Sequence, residues 1–198
     1  MPTVLTHAVV PVALALVPGV GRGARRVPPR LLLCGMVAAM LPDADAAGYW
    51  LGVPYAALAG HRGLSHSLAF ALALGLLAAL LARRLGARAL PAACFVGACT
   101  LSHPLLDMLT TGGLGIALWA PWSSERLFFA LRPIEVAPLA PARMFGDRGL
   151  VVLASELRWV WLPAGVLGLS CVAWRGLLAA IRRFSPRSSS FAGPDRHR

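Results

Sequence analysis

Four histidines, His7, His61, His66 and His103, and three aspartates, Asp43, Asp45 and Asp107, stand inside or at the edges of apolar stretches. Ionisable side chains are costly in hydrocarbon, and where they occur there they usually mark function. His103 and Asp107 are spaced i, i+4, which puts imidazole and carboxylate on one helix face in a chelating arrangement. Pro104 between them should loosen that helix and free the carbonyl of Thr100. On a regular helix Asp43 and Asp45 would diverge, but Pro42 predicts a turn or helix end where both can point inward. His61 and His66, five apart, would sit about 140° from each other on a helix, so one of them precedes the first turn. Imidazole and carboxylate together suit zinc, manganese or iron, and seven such groups suffice for one ion or two adjacent ones. The cofactor expected is therefore a divalent metal ion, zinc or manganese, which makes hydroxide from water near neutral pH. Arg62 is placed to clamp an anionic group such as phosphate, and Arg62 and Asp45 are the candidate catalytic residues. For His7 the plainer alternative is an interfacial helix-end histidine. Ser65, Ser67, Thr110 and Thr111 read as caps or supports rather than nucleophiles.

The elements that must position these groups are membrane spans. Of 198 residues 58% are hydrophobic and only 14% charged, well above the apolar content of a soluble domain. At about 20 residues per span the chain accommodates four to six transmembrane helices and no separate soluble catalytic domain. The expected fold is all-α, a polytopic bundle of about five spans. The apolar stretches run from about Val4 to Val20, Leu31 to Leu41, Leu64 to Ala82, Ala89 to Leu109 and Trp159 to Ile181, the second being short for a full crossing. Leu150 to Ser155 is a candidate extension of the last helix.

Charge sets the expected orientation. The net charge of +11 comes from arginine alone, and thirteen of the nineteen arginines fall in the connection around residues 22–30, that around 83–88, and the C-terminal end. Seven of the eight acids lie in the other connections. By the positive-inside bias the N-terminus is outside and the C-terminus cytoplasmic, in the inner membrane of a bacterium. Trp50, Trp119, Trp122, Trp159 and Trp161 then lie near the outer boundary as an aromatic belt. With this orientation, derived from arginines alone, all seven His and Asp groups fall on one side of the membrane. The basic balance reports topology and contact with membrane lipids, and no nucleic-acid partner is expected.

Residues 1–184 read as one helix-bundle domain with a long connection at about 110–158 over the outer face, and 185–198 as a disordered basic tail. Cys34, Cys94, Cys99 and Cys171 lie in apolar stretches and behave as small hydrophobes, without a Cys-x-x-Cys pair. Met1 to Val10 carries no basic residue, so the first stretch reads as a retained span and not a signal peptide.

Taken in order, Thr6-His7, Leu41-Pro42-Asp43-Ala44-Asp45, His61-Arg62-Gly63-Leu64-Ser65-His66-Ser67 and Leu101 to Gly113 resemble the YdjM-like family of inner-membrane proteins, to which metal-dependent hydrolysis is ascribed. The stretch Leu118-Trp119-Ala120-Pro121-Trp122-Ser123 is similar to that family's next segment. Ser65 stands where threonine is common and Trp122 where phenylalanine is usual, and neither change removes a candidate ligand. The resemblance implies metal ligands at His7, Asp43, Asp45, His61, His66, His103 and Asp107. The function expected is a membrane-bound metal-dependent hydrolase acting on a phosphoester or ester bond of a lipid or lipid-linked substrate. The alternatives are a metal-binding transporter or sensor without hydrolysis, and a structural protein whose His and Asp groups form a hydrogen-bond network.

Overall fold

In a computed structural model the described residues are 1–17, 27–138 and 141–184. The expected end of the first span at Val20, the basic residues 22–26 and the tail from 185 lie outside them. The described residues are all-helical, with seven α-helices joined by short 3-10 and π turns. These are α1 (Val4–Leu16), α2 (Pro29–Met40), α3 (Ala47–Trp50), α4 (Leu68–Leu80), α5 (Ala89–Met108), α6 (Asp147–Glu156) and α7 (Leu162–Phe184). Three helical runs are long and apolar enough to cross a membrane: Pro29–Trp50, Ala89–Met108 and Asp147–Ile181. With the shorter apolar helices α1 and α4 they give the five runs of the expected bundle.

Three boundaries differ from the sequence reading, each for a local reason. The second run is not short: it continues from α2 through a 3-10 turn, Leu41–Ala46, into α3. Pro42 occupies the start of that turn, where its missing N–H is tolerated. The third run begins at Leu68 rather than Leu64, because Ser67 is extended and its Oγ caps α4 by accepting from Phe70 N at 3.1 Å. The last run begins at Asp147, since α6 passes through a π turn, Leu157–Trp161, directly into α7. The expected extension of the last helix over Leu150 to Ser155 is thus part of α6.

The packing core joins α2, α4 and α5 through Leu31, Ala38, Ala39, Ala78, Ala92, Phe95, Val96 and Cys99. Small residues let the backbones close up, as between membrane helices whose surroundings are as apolar as their own side chains. A Cβ on Gly75 of α4 would stand 2.9 Å from the carbonyl of Ala93 and 3.5 Å from the Cα of Gly97 on α5. A Cβ on Gly35 of α2 would meet the Phe95 ring at 2.6 Å. By contrast the run Asp147–Ile181 has only 6% of its apolar window buried, and its α7 leans on α1.

The connection between α5 and α6 folds over the end of the bundle where α1 begins and α5 ends. Thr110 bridges Ile134, Ile116 bridges Leu127, and Ala137 N donates to the carbonyl of Met1 at 2.9 Å. The connection's own residues Ile116, Ala117, Ala120 and Ile134 are buried against the bundle.

Candidate metal centre

The end of the bundle under this connection gathers all seven His and Asp groups singled out in the sequence. His7 comes from the first turns of α1, Asp43 and Asp45 from the 3-10 turn after α2, and His103 and Asp107 from the last turns of α5. His61 lies in the loop before α4, and His66 closes the short 3-10 turn Leu64–His66. Both therefore precede α4. His7, Arg62, His66, His103 and Asp107 are fully buried, at 0% exposure.

One oxygen of Asp43, one nitrogen each of His66 and His103, and one oxygen of Asp107 all lie within 4.8 Å of one another. His103 Nε2 is 3.3 Å from Asp43 Oδ1, and His66 Nε2 is 3.8 Å from the same oxygen and 3.6 Å from Asp107 Oδ2. His7 closes the group: its Nε2 is 3.6 Å from Asp107 Oδ1 and 3.9 Å from Asp43 Oδ2, and its ring stacks on His103 with centroids 3.7 Å apart. A second group, Asp45, His61 and His66, adjoins the first and shares His66 with it.

The hydrogen bonds distinguish the two groups. Asp45 is satisfied: Oδ1 accepts from His61 Nδ1 at 2.6 Å, and Oδ2 accepts from Arg62 N at 3.2 Å and from the Ser65 hydroxyl. Asp43 and Asp107 are not. Both oxygens of each, both nitrogens of His7 and the Nε of Arg62 are buried without a hydrogen-bond partner. Buried polar atoms of this kind cost of order 1–3 kcal/mol each, more when charged, and they are rare in native structures.

The imidazole tautomers sharpen the point. Pro42 lacks the N–H that a 3-10 turn would return to the carbonyl of Ala39, and this carbonyl instead accepts from His103 Nδ1 at 2.7 Å. A carbonyl only accepts, so Nδ1 carries the proton and the Nε2 of neutral His103 holds a lone pair. His66 Nδ1 faces Asp45 Oδ2 at 3.1 Å and the Ser65 oxygen at 3.0 Å, and the Ser65 proton already goes to Asp45. A neutral His66 protonated at that Nδ1 would carry its lone pair on Nε2 as well. Two such lone pairs 3.1 Å apart do not bond each other; they present donors to a common acceptor. The Nδ1–H to carboxylate or carbonyl pattern is the one that orients metal-ligating histidines. This buried two-nitrogen, two-oxygen donor set, with its carboxylates orphaned of hydrogen bonds, could hold a metal ion.

The guanidinium of Arg62, expected to meet a substrate anion, faces inward instead. Its Nε is 3.2 Å from Asp107 Oδ2, Nη1 donates to the Gly112 carbonyl at 2.7 Å, and Nη2 donates to Thr110 Oγ1 at 3.0 Å. Thr110 in turn donates to the carbonyl of Asp107 at 2.7 Å. Arg62 adopts a left-handed backbone, φ 65°, of the sort retained at sites where the surroundings compel it.

Three supporting residues were not legible in advance. Arg126 binds the loop that carries His61 and Arg62, its Nη1 lying 3.3 Å from the carbonyls of His61, Arg62 and Gly115, and Nη2 3.2 Å from that of Ala56. Tyr55 packs edge-on against His61, and burial holds its phenol above the usual tyrosine range. Glu156, fully buried where α6 meets the π turn, accepts from Thr3 N at 2.5 Å and from the Thr3 and Thr6 hydroxyls at 2.6 Å. Trp161 Nε1 completes this latch by donating to Thr6 Oγ1 at 2.7 Å, one residue from His7. A signal for Glu156 did exist: a lone carboxylate within an apolar helical run needs a buried partner.

The fold and the site are those of a polytopic helical membrane protein with a buried His/Asp cluster at one end of its bundle. The family described as YdjM inner membrane protein matches residues 1–181, and the chain belongs to it. Inner membrane protein YbcI of Escherichia coli (strain K12) is 46% identical over 176 residues, covering 88% of this chain and 99% of that protein. No solved structure matches the chain.

Proposed function

We propose that the protein is a metal-dependent hydrolase of the inner membrane, acting on a phosphoester or ester bond of a lipid or lipid-linked substrate. The observation that carries this reading is the convergence of the His66 and His103 Nε2 atoms with hydrogen-bond-orphaned Asp43, Asp107 and His7. These five residues would hold the ion. Bound there, a divalent ion supplies a water of lowered pKa, the reagent that hydrolysis needs.

The remaining residues have positioning roles. Asp45 fixes the tautomers of His61 and His66, and the Ala39 carbonyl does the same for His103. Arg62 holds Asp107 in place and balances its charge. The overlying connection excludes bulk water from the buried cluster, which strengthens every charge interaction within it. Lying beneath that connection at one end of the bundle, the site would meet the polar end of a lipid. A metal-binding role without hydrolysis is the second reading, favoured by the full burial of His7, His66, His103 and Asp107.

The test is turnover. Purified full-length protein loaded with Zn²⁺ or Mn²⁺, in vesicles of phosphatidylethanolamine and phosphatidylglycerol, releases a headgroup or a fatty acid that the His66→Ala variant does not release. Metal bound at stoichiometry with no cleavage of any phosphoester or ester lipid overturns the hydrolase reading in favour of the second.

A further inference from the structure

Between α1 and α7 lies an open apolar groove of about 410 Å³, walled by Val9, Val12 and Leu16 on one side and Trp161, Gly165 and Gly168 on the other. We infer that this groove is a binding slot for one acyl chain of a membrane phospholipid, held with its polar end toward the metal cluster. This rests on the lipid substrate proposed above and assigns its tail a place.

The two glycines make the space. A Cβ on Gly165 would meet nothing within 4 Å, whereas one on Gly168 would meet only Leu16 Cδ1, at 2.8 Å. Both walls belong to apolar helices, so the medium that fills the groove is hydrocarbon. Its dimensions choose the form of that hydrocarbon. Along its longer wall, from Trp161 to Val172, a helix rises about 16 Å, so the volume corresponds to a channel of about 25 Å² in cross-section. That accommodates a single extended chain, while a helix with its side chains is about 10–12 Å across.

Continuity with the site gives the direction. Thr6, Val9, Ala13 and Leu16 follow one another at helical spacing along the groove face of α1. Thr6 heads this face, bonded to Trp161 and Glu156, and the next residue, His7, turns about 100° round the helix onto Asp43 and Asp107. Through Trp161 the polar latch borders the groove at the end nearest the cluster. A chain lying along it therefore brings its headgroup to the level of His7.

Photolabelling tests the slot without requiring metal or turnover. Full-length protein is reconstituted in phosphatidylethanolamine and phosphatidylglycerol vesicles containing phosphatidylethanolamine with a diazirine-tagged acyl chain, and labelled peptides are mapped by mass spectrometry. The groove walls on α1 and α7 are expected to carry at least about fivefold more label than the exposed leucines of α4, Leu72, Leu76 and Leu80, which meet ordinary bilayer lipid. Gly165→Phe fills the groove and removes that excess, and the smaller Gly165→Leu removes part of it. Gly176→Phe, which adds the same ring in open space outside the groove, leaves it unchanged. Even labelling of all lipid-facing helices, groove labelling indifferent to Gly165→Phe, or a protected groove in a chain of doubled mass, meaning that a second copy fills it, overturns the proposal. Groove labelling in a protein that binds no metal would leave the slot standing and remove the hydrolase.

Discussion

His66 and His103 face each other through Nε2 atoms 3.1 Å apart while the Nδ1 of each is held against an oxygen of the protein. With both rings neutral and protonated at Nδ1, the two Nε2 lone pairs would face one another, an arrangement that could hold a metal ion between them and the aspartates. The account turns on this relationship, and the behaviour of the surrounding residues follows from it.

Asp45 should matter through the histidines. Asp45→Asn keeps the shape but weakens the grip on Nδ1 of His61 and His66, and metal affinity should fall about 10–100-fold with the stoichiometry unchanged. Competition with a fluorescent zinc chelator measures this. Loss of the ion altogether would make Asp45 a ligand.

Arg62 should be a stability residue. Arg62→Ala leaves Asp107 buried beside His7 and without its guanidinium, a change of about 3–5 kcal/mol when one partner of a buried pair is removed. Thermal unfolding in detergent reads it, and added metal recovers part of the loss by neutralising Asp107. A variant of unaltered stability that only raises KM would return Arg62 to the role of substrate clamp.

The latch on α1 should tolerate loss of charge better than loss of shape. Glu156→Gln retains an oxygen that accepts from Thr3 and Thr6, whereas Glu156→Ala orphans several buried donors and should cost about 1–3 kcal/mol in the same unfolding measurement. Equal losses in the two variants would mean that the charge, and not the oxygen acceptors, holds α1.

Backbone approach should be unforgiving in the core and lenient at the groove. Gly35→Leu must displace the Phe95 ring and Gly75→Leu must part α4 from α5, each destabilising by about 1–3 kcal/mol or more. Gly165→Leu meets no neighbour and should unfold as wild type does.

Much of this was legible in the sequence because the costly residues are few and the hydrocarbon around them is uniform. His7, Asp43, Asp45, His61, His66, His103 and Asp107 stood out against apolar stretches, and the structure brings them to one end of the bundle. Which of them are hungry for a partner was not legible. Asp43 and Asp45 are two residues apart on a 3-10 turn, pointing about 120° from each other, and only the fold decides that one meets three histidine rings while the other is satisfied by a loop. Arg62 read as a clamp for an anionic group such as phosphate, and the partners that take up its guanidinium, Asp107, Gly112 and Thr110, lie too far along the chain to be read from its neighbours. Helix boundaries shifted where local turns and caps set them, as the 3-10 turn does after α2 and Ser67 does before α4. Arg126 had no signal at all, since its partners are backbone carbonyls far away in the chain.

The central claim is a bound divalent ion, and elemental mass spectrometry of the detergent-purified full-length protein tests it most directly. Wild type should carry one or two equivalents of zinc or manganese, while His66→Ala and the His103→Ala/Asp107→Ala double variant should lose it with their helical circular dichroism intact. A wild type that holds no transition metal, even after reconstitution with Zn²⁺ and Mn²⁺, would contradict the account and leave the seven groups as a buried polar network.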